Sequence, residues 1–379
     1  MKTKSDILKN AVHLTAIALC MTIFASCKNA PNISMTVPPD ADGRFFIAGS
    51  GTITIDWGDG TVETRTLNAY NDDRALYDTI YLFNHYYSGS SAHTIKIFGD
   101  NITHLSCGFN ELISLDVSKS KKLARLVCYH NELTDLDISK NKELTYLQCN
   151  DNQLTSLDVR KNIKLTELYC YNNQLTALDL SKNSALIDLD CRNNELTSLD
   201  VSKNTKLTEL YCFDNQLTKL DVTNIALTDL GCSGNQLAEL DLSRNTALTW
   251  LYCDNNQLIK LDISKNSALT MLCCANNQLS ELDLSKNSVL TFLYCDNNQL
   301  NELDFSANTA LKYLMCESNN LPTVALNALF ETLHNNTLEY KKVFIANNPG
   351  TADCDKSIAE KKGWIVYTID YFETIKIPY

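Results

Sequence analysis

The stretch LTELYCYNNQLTALDLSKNSA, from Leu165 to Ala185, recurs along the chain, and its reading decides the fold. Written as a pattern it is L-x-x-L-x-C-x-x-N-x-L-x-x-L-D-[hydrophobic]-S-K-N-x-x. Cysteines at 107, 128, 149, 170, 191, 212, 232, 253, 274, 295 and 316 are spaced by 21 residues, except for a step of 20 between 212 and 232. An asparagine stands three residues behind every one of them, from Asn110 to Asn319. A fixed period of this length means stacked supersecondary units, none of which can bury its leucines alone.

Within one unit the alternation around Leu168 and Cys170 is strand-like, so both side chains point inward while Glu167, Tyr169 and Tyr171 point to a concave outer face. Stacking hides each leucine against the next coil, at about 1.5–3 kcal/mol relative to exposure. Asn173 and its equivalents carry donors and an acceptor suited to the backbone groups of the turn that leaves the strand. Asp179, Ser181 and Asn183 are turn-forming types. A column of identical aspartates offers no paired environments to separate carboxyl pKa values, so it is not read as catalytic. The return stroke is too short for a full helix and predicts turns and 3₁₀ pieces. The missing residue between Asp221 and Leu227 should alter one turn without breaking the sheet. This is the leucine-rich-repeat signature with cysteine in the second strand slot, in eleven copies. The expected fold is a leucine-rich-repeat solenoid, mostly β with short 3₁₀ or turn return segments.

The repeats leave two flanks. Residues 1–26 read as an export signal: Lys2, Lys4 and Lys9, an apolar run from Ala11 to Ala25, then small residues before Cys27. Ile23-Phe24-Ala25-Ser26-Cys27 resembles a bacterial lipobox, with Phe24 where leucine is usual, and implies lipidation at Cys27. The expectation is an exported, lipid-anchored protein at the outer membrane or cell surface, its facing left open. The chain of 379 residues has a formal charge of −12, and loss of Lys2, Lys4, Lys9 and Asp6 with the signal takes it to −14. A nucleic-acid partner is excluded, because phosphate binding needs a basic face.

Residues 27–101 are strand-rich, with FFIAG, TITIDWGDGTVETRTL and HTIKIFG, and Asp59-Gly60 marks a hairpin. The run Ile55 to Thr61 resembles the WGDGT hairpin of small bacterial β-sandwich modules. Asp56 and Asp59 within it read as turn residues rather than calcium ligands. After the repeats of 102–321, residues 322–379 suggest a closing α/β cap, with helices over Val324–Leu333 and Asp355–Lys362 and strands over Lys342–Ala346 and Trp364–Thr368.

The repeat, with cysteine in the inner strand slot and the L-D-[LVI]-S-K-N return, resembles the cysteine-ladder repeats of the internalin J type in bacterial surface proteins. That resemblance implies a non-enzymatic adhesin that binds partners through its concave face. The chain departs from the family in its apparent N-terminal lipid anchor and in lacking the helical N-terminal cap and interrepeat domain, so adhesion is implied only loosely.

Neighbouring parallel strands are about 4.8 Å apart, wider than the roughly 3.5–4.5 Å between Cβ atoms that a disulfide prefers. The ladder cysteines are therefore read as buried reduced thiols, and a one-dimensional row cannot close a tetrahedral metal site. Cys273 differs, because Leu272 and Cys274 take the inward places and leave it on the concave surface between Tyr252 and Tyr294. Neither Cys273 nor Cys354 has a histidine placed for nucleophilic catalysis. No cofactor, metal or catalytic residue is expected, nor is a stable oligomer.

Two outward columns remain. Glu167, Asp188, Asp190, Glu209 and Asp229 form an acidic centre. Trp250, Tyr252, Met271, Phe292, Tyr294, Tyr313 and Met315 form an apolar and aromatic zone, joined as candidate contacts by Tyr146, Tyr169 and Tyr211. Aromatics also suit exposed strands without any ligand. The first expectation is a protein partner seated on the concave face, and the alternative is a glycan stacked on Trp250, Tyr252, Phe292 and Tyr294.

Overall fold

A computed structural model describes residues 30–68, 80–223 and 225–369. The signal of 1–26 and Cys27 lie outside the described residues. No helix among those described is long and apolar enough to cross a membrane. The chain falls into two compact units, 1–143 and 144–379.

In the first unit, alternating apolar residues build strands β1 (Ile33–Val37), β2 (Gly43–Gly49), β3 (Gly51–Asp56), β4 (Val62–Leu67), β5 (Tyr81–His85), β6 (His93–Phe98), β7 (Ile102–Ser106), β8 (Ser114–Asp116) and β9 (Arg125–Val127). One sheet has the order β4-β3-β6-β1-β8. In the other, β2 lies antiparallel to β5 and β7, and β7 runs parallel to β9. Between the sheets the core holds Ile33, Met35, Phe45, Ile55, Trp57 and Ile97.

The β3–β4 hairpin explains the WGDGT run. Asp56 accepts from the Gly58 amide at 3.0 Å and Asp59 from the Thr61 amide at 2.8 Å, so each aspartate gives one oxygen to the turn. Asp59 also meets His85 Nε2 at 2.6 Å, and these bonds hold its carboxyl down at about 2. Trp57 is stacked on His85 at 4.9 Å beneath the hairpin. The return segment of the first repeat is strand β8, paired antiparallel with β1. Arg44 N donates to Asn110 Oδ1 at 2.7 Å, so the β-rich residues satisfy the outer groups of the first coil.

The second unit is a leucine-rich-repeat solenoid. Its parallel strands are β10 (Tyr146–Gln148), β11 (Glu167–Tyr169), β12 (Asp188–Asp190), β13 (Glu209–Tyr211), β14 (Asp229–Gly231), β15 (Trp250–Tyr252), β16 (Met271–Cys273), β17 (Phe292–Tyr294), β18 (Tyr313–Met315), β19 (Lys342–Phe344) and β20 (Ile365–Tyr367). The central leucines of β10 to β18 and the ladder cysteines behind them are fully buried. Burial raises the ladder thiols, to about 12 at Cys212, so they stay protonated at neutral pH.

Two asparagine ladders tie the coils. Asn173 Nδ2 donates to the carbonyls of Cys149 and Cys170, each at 3.1 Å, and its Oδ1 accepts from Leu154 N at 3.0 Å. Asn183 Nδ2 donates to Val159 O and Asn162 O, both at 3.0 Å, on the return side. Beside the first ladder the backbone is left-handed, with φ of 52° at Asn172, 51° at Asn193 and 62° at Gly234, which suits asparagine and glycine there.

The return segments contain isolated turns such as Asn183 N to Leu180 O (3.0 Å) and Leu186 N to Asn183 O (3.1 Å). They are turns, as expected, and among the described residues none extends into a 3₁₀ helix. At the short repeat Ile225 stands in the asparagine column, and Asn245 Nδ2 still donates to its carbonyl at 2.8 Å. Strand register across it is intact, Leu210 opposite Leu230.

After the repeats, α1 (Thr323–Thr332) and α2 (Ser357–Glu360) alternate with β19 and β20. Phe305, larger than the residues in its column, is buried, and its amide bonds Thr332 Oγ1 at the end of α1 at 3.0 Å. Ile345-x-x-Asn348 repeats the Cys-x-x-Asn geometry: Asn348 Nδ2 donates to Cys316 O and Ile345 O at 2.9 Å, and its Oδ1 accepts from Leu321 N at 3.2 Å. This twelfth coil carries isoleucine in the cysteine slot and so escapes a pattern keyed on cysteine.

Candidate functional site

Strand register in the second unit generates two outward columns. One runs Tyr146, Glu167, Asp188, Glu209, Asp229, Trp250, Met271, Phe292, Tyr313 and Lys342. The other runs Gln148, Tyr169, Asp190, Tyr211, Gly231, Tyr252, Cys273, Tyr294, Met315 and Phe344. The alternation seen in the sequence thus puts the acidic and aromatic residues side by side on one sheet face.

The acidic residues crowd one another. The Tyr169 hydroxyl contacts Glu167 Oε2 at 3.1 Å and also Asp188 Oδ2. Burial and the charge of Glu167 push the Asp188 carboxyl up against that hydrogen bond. Burial, then Asp188 and Asp229, raise Glu209. The Thr228 hydroxyl donates to Asp229 Oδ2 at 2.6 Å. Like charges one strand apart disfavour their own ionisation, and a cation lying over them would relieve the repulsion.

Asp190 does not share that surface. It is 6% exposed, set between Tyr169 and Tyr211 in register, and its Oδ2 meets Arg192 Nε at 3.3 Å. Burial lifts its carboxyl to about 6, with Arg192 opposing. The outward acidic row is therefore Glu167, Asp188, Glu209 and Asp229.

The aromatic zone is more connected than its two columns suggest. Phe213, one position behind the ladder cysteine, is 5.9 Å from Tyr211 and 6.0 Å from Tyr252. It lies across Gly231, where an added Cβ would come within 2.1 Å of the ring. The signal for this bridge is a glycine in an outward column otherwise filled by large side chains. Tyr252 Oη meets Met271 Sδ at 2.9 Å. Tyr313 stands 6.4 Å from Phe292, 5.5 Å from Tyr294 and 5.0 Å from Phe344. At the other end Tyr146 and Tyr169 are 5.5 Å apart.

Trp250 is 47% exposed, the most open aromatic of the columns. Met315 is 2% exposed. Its register partner Phe344, stacked on Tyr367 at 4.5 Å, continues the sheet past it, so Met315 is not part of the accessible surface expected for it.

Cys273 lies between Tyr252 and Tyr294 and is half-buried. Burial and the hydrogen-bonded Asp254 carboxylate raise its thiol far above the usual range, so it stays protonated and is a poor nucleophile. Cys354 is buried in the C-terminal coil region, and burial raises its thiol.

No protein-family model and no curated protein matches the chain. Among solved structures, the chain is 37% identical to the functional domain of internalin J from Listeria monocytogenes, which includes a cysteine ladder. That match covers 70% of this chain and 63% of the other, with a TM-score of 0.62. An internalin from Listeria monocytogenes is 20% identical over 71% of this chain and 87% of its own, with a TM-score of 0.57. A leucine-rich-repeat protein from Leptospira interrogans is 20% identical over 68% and 80%, with a TM-score of 0.52. The last two likenesses concern the fold alone. The chain spans under two thirds of the internalin J domain it matches.

Proposed function

We propose that this chain, a leucine-rich-repeat protein with a cysteine ladder similar to that of internalin J, is a non-catalytic recognition module that binds a protein partner through the outward sheet columns of its second unit. The single observation that supports this reading is Trp250, held open at the junction between four outward carboxylates and a connected row of aromatic side chains. An exposed indole costs solubility, and recognition surfaces are enriched in tryptophan and tyrosine at their centres. The carboxylates Glu167, Asp188, Glu209 and Asp229 select a partner with basic groups on one side of its anchor. The reading places the protein outside the cytoplasm, lipid-anchored through Cys27, on the strength of the signal-like residues 1–26.

The open indole face also suits a sugar ring, which gives the second reading, a glycan on Trp250, Tyr252, Phe292 and Tyr294. Alanine in place of both Trp250 and Tyr294, compared with the parent on immobilised glycans and on cell-surface proteins, separates the two. Loss of protein capture by at least about tenfold is expected. Loss of glycan capture alone supports the second reading, and unchanged capture of both removes the concave face from the account. Anchoring is tested by metabolic labelling with palmitate, which Cys27→Ser should abolish.

A further inference from the structure

A second concavity lies on the return segments of the second unit, lined by no residue of the strand columns, with a volume of about 1060 Å³. Leu261, Leu282 and Leu303, 6–9% exposed, form its floor. Leu157, Leu178 and Leu199 hold the same place in earlier repeats, 6–7% exposed. A concavity of about 760 Å³ also lies over Leu220 and Leu240, but the later one adds a wall made by helix α1, which presents Val324, 79% exposed, together with Ala325 and Ala328. The rim carries Asp262, Glu281, Asp283, Glu302 and Asp304 against Lys260, with Lys265 and Lys286 acting on Asp262 and Asp283, so carboxylates remain in excess.

Size, spacing and charge together define an occupant. The trough is at the upper end of what a small ligand fills, roughly 300–1,000 Å³, and it is open along its length. Its leucine rungs recur once per repeat, at Leu261, Leu282 and Leu303. Against such a row a helix can set one apolar stripe, at i, i+3 or i+4, and i+7. Small residues at 325 and 328, one turn apart on α1, let a second helix approach to the usual distance of about 8–10 Å.

We propose that this trough docks an amphipathic helix of a partner protein, with apolar residues on the leucine floor and lysine or arginine flanks against the acidic rim. This surface is separate from the Trp250 face and does not depend on it.

The test uses the full chain and a fluorescent peptide of about 15 residues built from leucine and lysine to be an amphipathic helix, with a leucine–glutamate peptide as its counterpart. The lysine peptide should bind and the glutamate peptide should not. Ala328→Arg, and separately the pair Glu281→Lys and Glu302→Lys, should weaken binding by about tenfold or more, with Trp250→Ala within about twofold of the parent. Should Ala328→Arg lose its circular dichroism, Val324→Lys on the same exposed wall replaces it. The proposal is overturned by no binding, by equal binding of the two peptides, or by sensitivity to Trp250→Ala without sensitivity to the wall variants. A parent dimer that Ala328→Arg dissociates in sedimentation would also overturn it, by making the occupant a second copy of this chain.

Discussion

At the residue scale the repeated positions have different jobs. Asn173 serves two carbonyls of successive cysteines and one amide, all shielded from water. Asn173→Ala strands those groups and should cost about 2–4 kcal/mol in urea unfolding, while Asn172→Gly, at a position that is itself left-handed, should be close to neutral. Asp190 carries a different liability. Its carboxyl in the fold is raised to about 6 from the ordinary 3.8. A raised folded value stabilises fully below the unfolded value and loses that stability as pH rises through the folded one. The parent should therefore lose on the order of 2 kcal/mol between about pH 4 and 7 from this group. Asp190→Asn should flatten that slope in denaturation midpoints measured across the range, and an unchanged slope would rule the residue out as its source. The acidic row was legible from alternation. The burial of Asp190 was not, because column membership says nothing about how side chains of neighbouring coils cover a shorter one.

At the scale of elements, each three-residue strand is too short to stand alone, and its register comes from the leucine and cysteine it buries. The end of the repeat array is handled by one enlarged residue. Phe305 fills the space beneath α1 and bonds Thr332 at the end of that helix. Phe305→Ala should cost about 3–5 kcal/mol. Hydrogen exchange should show amides of α1 losing protection before those of β11 to β13; equal loss everywhere would argue against a local role. The helices and strands after the repeats were legible from their periodicity, since amphipathic period survives without the repeat. The coil containing Ile345 and Asn348 was not, since isoleucine replaces cysteine and the spacing from Cys316 is irregular. Phe213 was missed for a related reason: its position follows the cysteine, and only the ring lying over Gly231 places it in the aromatic row.

For the whole molecule, stability is the sum of coil and neighbour terms, with hydrogen-bonded asparagine columns rather than covalent links joining the coils. All thirteen cysteines among the described residues are free thiols. Addition of dithiothreitol should leave the thermal midpoint unchanged, and intact mass should show no disulfides among them. A fall of several degrees with reductant would contradict the ladder as built. Native labelling should reach Cys273 slowly, because burial and the Asp254 carboxylate keep the thiol protonated between Tyr252 and Tyr294, and should reach ladder thiols only after denaturation.

The sequence by itself determined the solenoid, because a period of 21 residues with leucine, cysteine and asparagine at fixed places leaves one way to bury the leucines and satisfy the turn backbone. It also determined which residues share an outward column, since strand alternation and repeat register are local facts. Only the tertiary structure decided which column members reach solvent. Trp250 stays open, Asp190 and Met315 are covered, and Phe213 enters the row across a glycine. Exposure depends on the shapes of side chains from neighbouring coils, distant in sequence, and no pattern within a single repeat encodes it. The trough beside α1 has the same origin: its floor is written in every repeat, but its wall exists only where the chain leaves the repeat and folds back as a helix.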